Sequence, residues 1–173
     1  MPQIRQRRER KRYVFAVASV SAAFLLLVGG LLVYYGTQRL QSEQEFDRLT
    51  TLTKLMATEK HAQQAAELWV KYAKDSSNEQ KLRAKAWQNA GANYMTAADY
   101  SDAQTSFQNS LNYVKLNYTI STEIAQAAQL AGHKDVALKY YKEALNRIPK
   151  DMYGGDKQKQ FFNTQISQLE QSQ

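Results

Sequence analysis

Residues 13–35, YVFAVASVSAAFLLLVGGLLVYY, form an unbroken run of 23 residues without a charged side chain, and the rest of the 173-residue chain has nothing comparable. At 1.5 Å per helical residue the run reaches about 35 Å, slightly more than the roughly 30 Å of a bilayer's hydrocarbon core. A helix of that length in a soluble core needs a polar stripe, and this one has none. Tyr13 at one end and Tyr34 and Tyr35 at the other suit the two membrane interfaces, where an amphipathic ring is favoured. The run predicts a transmembrane helix over 13–35. A cleavable signal peptide is the competing reading. Its apolar stretch would be shorter, about 7–15 residues, and would end in a small-x-small site, whereas here Gly36-Thr37-Gln38 follows.

The same run divides the chain by charge. Arg5, Arg7, Arg8, Arg10, Lys11 and Arg12, opposed only by Glu9, give residues 1–12 a net charge of +5 out of the chain's +7. Residues 36–173 carry 17 basic and 15 acidic side chains, so the folded part is nearly neutral. The basic cluster could be read as a nuclear-localisation or nucleic-acid patch. Abutting an apolar run, it reads more simply as the positive-inside signal that keeps the N-terminus cytoplasmic, in reach of anionic lipid head groups. The expectation is a single-pass cell-membrane protein with no nucleic-acid partner, a basic cytoplasmic tail at 1–12 and an extracytoplasmic domain. Ala18 and Ala22, and Ser19 and Ala23, have the small-xxx-small spacing that lets membrane helices approach closely, which admits a homodimer.

Beyond residue 36 the informative signal is a repeat. Trp87, Gly91, Tyr94, Ala103, Phe107 and Ser110 recur 34 residues later as Ser121, Ala125, Ala128, Ala137, Tyr141 and Ala144, and Pro149 follows. Trp87, Ala90, Gly91 and Tyr94 lie at i, i+3, i+4 and i+7, one face of a helix. Ala103, Phe107, Leu111 and Val114 form a second such face, and Ala137, Tyr141, Leu145 and Ile148 repeat it. Asp99-Tyr100-Ser101-Asp102 and Gly132-His133-Lys134-Asp135 are the short polar turns between paired helices.

These residues resemble the tetratricopeptide repeat, whose 34-residue pattern carries Trp, Leu-Gly, Tyr, Ala, Phe, Ala and Pro. Residues 84–117 match at Trp87, Gly91, Tyr94, Ala103 and Phe107 and depart at Ala90, Ser110 and Lys115. Residues 118–151 match at Ala137, Ala144 and Pro149, with Tyr141 for Phe, and lack the first-helix Trp, Gly and Tyr. The resemblance implies an all-α fold, a right-handed solenoid of helical hairpins over 61–151. Ala65, Trp69 and Tyr72 look like the second helix of a degenerate repeat. The juxtamembrane helix at 36–60, with Phe46, Leu49, Leu52 and Met56, would be its first helix, and a juxtamembrane coiled coil is the alternative. Residues 152–173 suit a capping helix: Asp156 is a candidate N-cap, Phe162, Ile166 and Leu169 an apolar face, and the other face is rich in Gln, Lys and Ser.

No catalytic, metal or cofactor site is expected, and the chain does not read as an enzyme. It has no cysteine, and its two histidines, His61 and His133, fall in different repeats. Gly154-Gly155 is a lone glycine pair, not a phosphate loop. Asn117-Tyr118-Thr119 fits the glycosylation pattern, which matters only in a eukaryotic secretory setting.

The resemblance further implies a concave face lined by the first helix of each hairpin. Its positions fall on Lys85, Gln88, Asn89, Ala92 and Met95, then on Thr119, Thr122, Glu123, Gln126 and Gln129. The lining is polar and nearly neutral and suits another protein or peptide. Lys85 and Asn89 alone make a poor clamp for a C-terminal carboxylate. The layout is similar to that of bacterial ancillary translocon subunits. Two other readings stay open: a cytosol-facing anchored receptor for targeting peptides, and a structural spacer in a membrane complex.

Overall fold

In a computed structural model, the described residues form seven helices and no strand: α1 (Pro2–Leu55), α2 (Glu59–Lys74), α3 (Gln80–Thr96), α4 (Tyr100–Ser110), α5 (Tyr118–Leu130), α6 (Lys134–Asn146) and α7 (Gly155–Gln171). The structure describes the backbone of residues 2–56 and 59–171 and the side chains of 26–56 and 60–171. The side chains of the basic tail and of 13–25, including Tyr13 and the small-residue pairs at 18–23, lie outside the described residues. Among those described, no helix is long and apolar enough to cross a membrane. The chain divides into two compact units, residues 1–41 and 42–173.

In the first unit, Leu26, Leu27, Leu31, Leu32 and Val33 are all exposed. Tyr34 and Tyr35 meet edge to face, and the Gln38 amide donates to the Tyr34 hydroxyl at 2.7 Å.

The second unit is a series of helical hairpins. In α1, Phe46 packs its ring on Trp69 and Tyr72 of α2 at centroid separations of 5.0 and 5.7 Å. Phe46 and Leu49 therefore belong to an intrachain core. Leu52, expected on the same face, is exposed, and α1 ends at Leu55. Helix α2 buries Ala62, Ala65, Ala66, Trp69, Tyr72 and Ala73 along one stripe.

The next two hairpins, α3–α4 and α5–α6, bury the same positions 34 residues apart. Trp87 and Ser121, Ala90 and Ile124, Gly91 and Ala125, and Tyr94 and Ala128 are buried on the first helices. Ala103 and Ala137, Phe107 and Tyr141, and Ser110 and Ala144 are buried on the second. Gly91 is required by the approach of α4: a Cβ there would sit 2.6 Å from the Phe107 ring. Helix α4 stops at Ser110, so Leu111 and Val114 pack on the same core as Ala103 and Phe107 from the turn that follows the helix, not from a continuation of it. The Ser110 hydroxyl donates back to the Phe107 carbonyl at 2.7 Å, and the chain turns through 111–116. Asn117 then caps α5, accepting from the Ile120 N–H at 3.0 Å.

Helix α7 covers the end of the series. Phe162 is fully buried against Tyr118 and Tyr141, and Leu169 is buried beside Ile166. Gly154 takes a positive φ of 73°, and the helix begins at Gly155, which puts Asp156 inside the first turn rather than at the N-cap. There its carboxylate pairs with Lys159 at 3.1 Å.

Candidate protein-binding face

Helices α3 and α5 are the first helices of successive hairpins, and the residues expected to line a binding face lie off their buried stripes. On α3, Lys85 and Ala92 are exposed, Gln88 and Asn89 are half-buried, and Met95 rests partly on the core. The Asn89 carbonyl accepts from the Asn93 amide at 2.8 Å, leaving the Asn89 side chain free of that bond. On α5, Thr119 is exposed, and Thr122, Glu123, Gln126 and Gln129 are half-buried.

These groups differ in what already engages them. The Thr122 hydroxyl donates to the Tyr118 carbonyl at 2.9 Å, an i−4 bond within α5. Gln129 is engaged at both ends of its amide: the oxygen accepts from the Tyr141 hydroxyl at 2.6 Å and the nitrogen donates to Gln165 of α7 at 2.9 Å. It joins three helices, so its amide is spent on the fold and not offered to a partner. No hydrogen bond among the described residues engages the side chains of Gln88, Asn89 or Gln126. Those amides can each donate and accept, as an extended peptide backbone requires.

Glu123 is the one charged residue of α5. Its Oε2 is buried and takes no hydrogen bond. Burial, which disfavours the charged form, pushes the carboxyl up from 4.5 to about 7. Its spacing along α5 puts it on the face and assigns it no distinct role. The available signal was its being the lone charge on an otherwise neutral helix.

Other features of the second unit do not converge on chemistry. His61 lies 3.3 Å from Gln64 and His133 2.7 Å from Gln104, both exposed. No group of three or more His, Cys, Asp or Glu capable of holding a metal ion occurs among the described residues. A shallow depression lined by Leu116, Tyr118, Arg147 and Pro149 lies where the α4–α5 connection meets the end of α6. Arg147 there is held by Glu143 at 3.0 Å.

No protein-family model matches this sequence, and none of the curated proteins is similar to it.

Proposed function

We propose that this chain is a membrane-anchored protein-interaction scaffold. A transmembrane helix over 13–35 carries, outside the cytoplasm, a tetratricopeptide-like right-handed solenoid capped by α7, and the solenoid binds segments of other proteins during envelope protein assembly or secretion. The supporting observation is the contrast among amides. Asn78 and Gln129 are hydrogen-bonded within the fold, whereas Gln88, Asn89 and Gln126, on the outward sides of α3 and α5, are not. A face of unspent donors and acceptors on two successive hairpins is suited to pairing with an extended chain.

The anchoring half of the proposal rests on the uncharged run, on its exposed leucines at 26–32 and on the +5 tail that precedes it. It is tested by labelling single cysteines with a membrane-impermeant thiol reagent in intact cells. Gln44→Cys, at an exposed position of α1, is expected to react, and Gln3→Cys only after lysis. The reverse pattern would put the domain in the cytosol and favour the targeting-peptide receptor. Ser42 is unsuitable for this label because it is buried.

A further inference from the structure

The unexplained group on this face is Glu123. A carboxyl oxygen sealed from water and left without a hydrogen bond is a cost to the folded domain, since a buried acceptor gives up its hydration and recovers nothing. Nothing in the packing demands a carboxyl there. Its neighbours along α5, Ile120, Ile124 and Ala127, are buried apolar residues of the first core cluster. No ion pair among the described residues involves it. The charged groups on the helices around α5 are engaged elsewhere or stand in solvent. Arg83 of α3 donates to the Ala73 carbonyl and stacks on Tyr113, and Lys85 of α3 is exposed. Asp102 of α4 interacts with Asp99, Glu143 of α6 with Arg147, and Lys159 of α7 with Asp156. Burial is the only cause of the displaced titration of Glu123.

The group shares α5 with Gln126, whose amide is unspent. Gln126 is one position short of a full turn further along α5, and Thr119 lies one turn before Glu123. An acceptor that is half sunk between apolar side chains, on a stretch with no other charge, complements one kind of group. That group is a cation able to donate several hydrogen bonds and shed part of its own hydration, which describes a guanidinium or ammonium.

We propose that Glu123 is the anchor of the binding face and selects partner segments carrying an arginine or lysine side chain, with which the half-buried carboxyl pairs by turning outward while the peptide backbone lies along Gln126, Gln88 and Asn89. This inference rests on the face being a binding face, as set out above. It adds to that reading a partner chemistry, a basic residue within an extended segment. Glu123 ionises on docking, because the incoming cation replaces the hydration that burial removed.

The test is a selection of a randomised nonapeptide phage library against the full chain in lipid nanodiscs, run in parallel on Glu123→Gln. The glutamine keeps the shape of the side chain and removes the charge, and unchanged helical content by circular dichroism verifies the fold. Wild type is expected to enrich arginine or lysine at one peptide position at least ten-fold over the Glu123→Gln selection. Selected peptides remade with citrulline at that position are expected to lose about ten-fold in affinity for wild type and little for the variant. Equal basic enrichment by both proteins, or none by wild type, would overturn the role of Glu123. If the selected peptides instead bind a Gln88→Ala, Asn89→Ala, Gln126→Ala protein undiminished, the binding face itself is wrong. Peptides that depend on those amides but carry no basic preference would leave the face standing without its proposed anchor.

Discussion

Ala98 and Gly132, 34 residues apart, occupy the same left-handed backbone position behind α3 and α5, at φ 59° and 78°. Behind each, the chain closes in the same way: Asp99 N–H donates to the Tyr94 carbonyl at 2.9 Å, and His133 N–H to the Ala128 carbonyl at 2.8 Å. These are the six-to-one bonds of a Schellman turn, whose left-handed residue is usually glycine. The two hairpins therefore share a turn as well as a packing pattern, but the first makes it with a residue that carries a Cβ.

Glycine is the residue that this position favours, since a Cβ crowds the following carbonyl in the left-handed region. Ala98→Gly is expected to raise stability by about 0.5–1 kcal/mol and Gly132→Ala to lower it by about 1 kcal/mol or somewhat more. Thermal or urea unfolding of the full chain, followed by circular dichroism, measures both. Two changes of the same sign would mean that the turns are not equivalent.

The approach of α4 to α3 depends on the absence of a side chain at Gly91. A methyl group placed there meets the Phe107 ring at 2.6 Å, so either the ring or the helix must shift. Gly91→Ala is expected to cost about 1–3 kcal/mol, as overpacking in a core does. The compensating double variant Gly91→Ala, Phe107→Leu should recover part of that loss. A neutral Gly91→Ala in urea unfolding would show that the pair is looser than these distances indicate.

A polar lock ties the start of the second unit together. The Tyr72 hydroxyl donates to the Ser42 carbonyl at 2.6 Å and lies 2.8 Å from the Ser42 hydroxyl, which in turn accepts from the Glu79 N–H at 3.1 Å. Tyr72→Phe keeps the ring packed on Phe46 and Trp69 and removes only the hydroxyl. It is expected to cost about 1–2 kcal/mol and to speed amide exchange at Glu79. Unchanged exchange at Glu79 would mean that the hydroxyl holds nothing in place.

Glu123 makes stability depend on pH in a defined direction. Its carboxyl titrates near 4.5 when unfolded and near 7 when folded, so between those values the folded chain holds a proton that the unfolded chain has lost. Stability from this group is complete below about pH 4.5 and declines as pH rises to 7. The residue is only half-buried and solvent screens part of the effect, so the loss is on the order of 1–2 kcal/mol. Glu123→Gln should remove that decline and be the more stable protein at pH 8. Parallel pH profiles of the two melting temperatures would contradict the displaced titration.

Much of this architecture is visible in the residues. The face of Trp87, Ala90, Gly91 and Tyr94 and its shifted copy at Ser121, Ile124, Ala125 and Ala128 are buried as the 3.6-residue period requires. The departures each have a local cause. Leu111 and Val114 extend the period of α4, but the Ser110 hydroxyl returns to the Phe107 carbonyl and the helix ends. Gln129 occupies the same repeat position as Met95 and by spacing belongs to the face, yet Tyr141 and Gln165 claim its amide, and neither pairing is encoded in spacing along α5. Ser42 reads as a solvated residue of a juxtamembrane helix. Its burial comes from Tyr72, 30 residues away, and from a loop N–H. Periodicity reports which face is buried; it is silent on which polar side chains the fold consumes.

The central claim is that the outward face of α3 and α5 holds a partner protein in the native membrane. Its most direct measurement is site-specific photocrosslinking in living cells, with a benzophenone side chain placed at the exposed position of Ala92 on α3 or, as a control, at the exposed position of Thr105 on α4. A discrete adduct is expected from position 92 and not from 105, and it should diminish when Gln88, Asn89 and Gln126 are changed together to alanine. An adduct from 105 alone, or one from 92 that survives the triple change at full yield, would contradict the claim and assign binding to another surface.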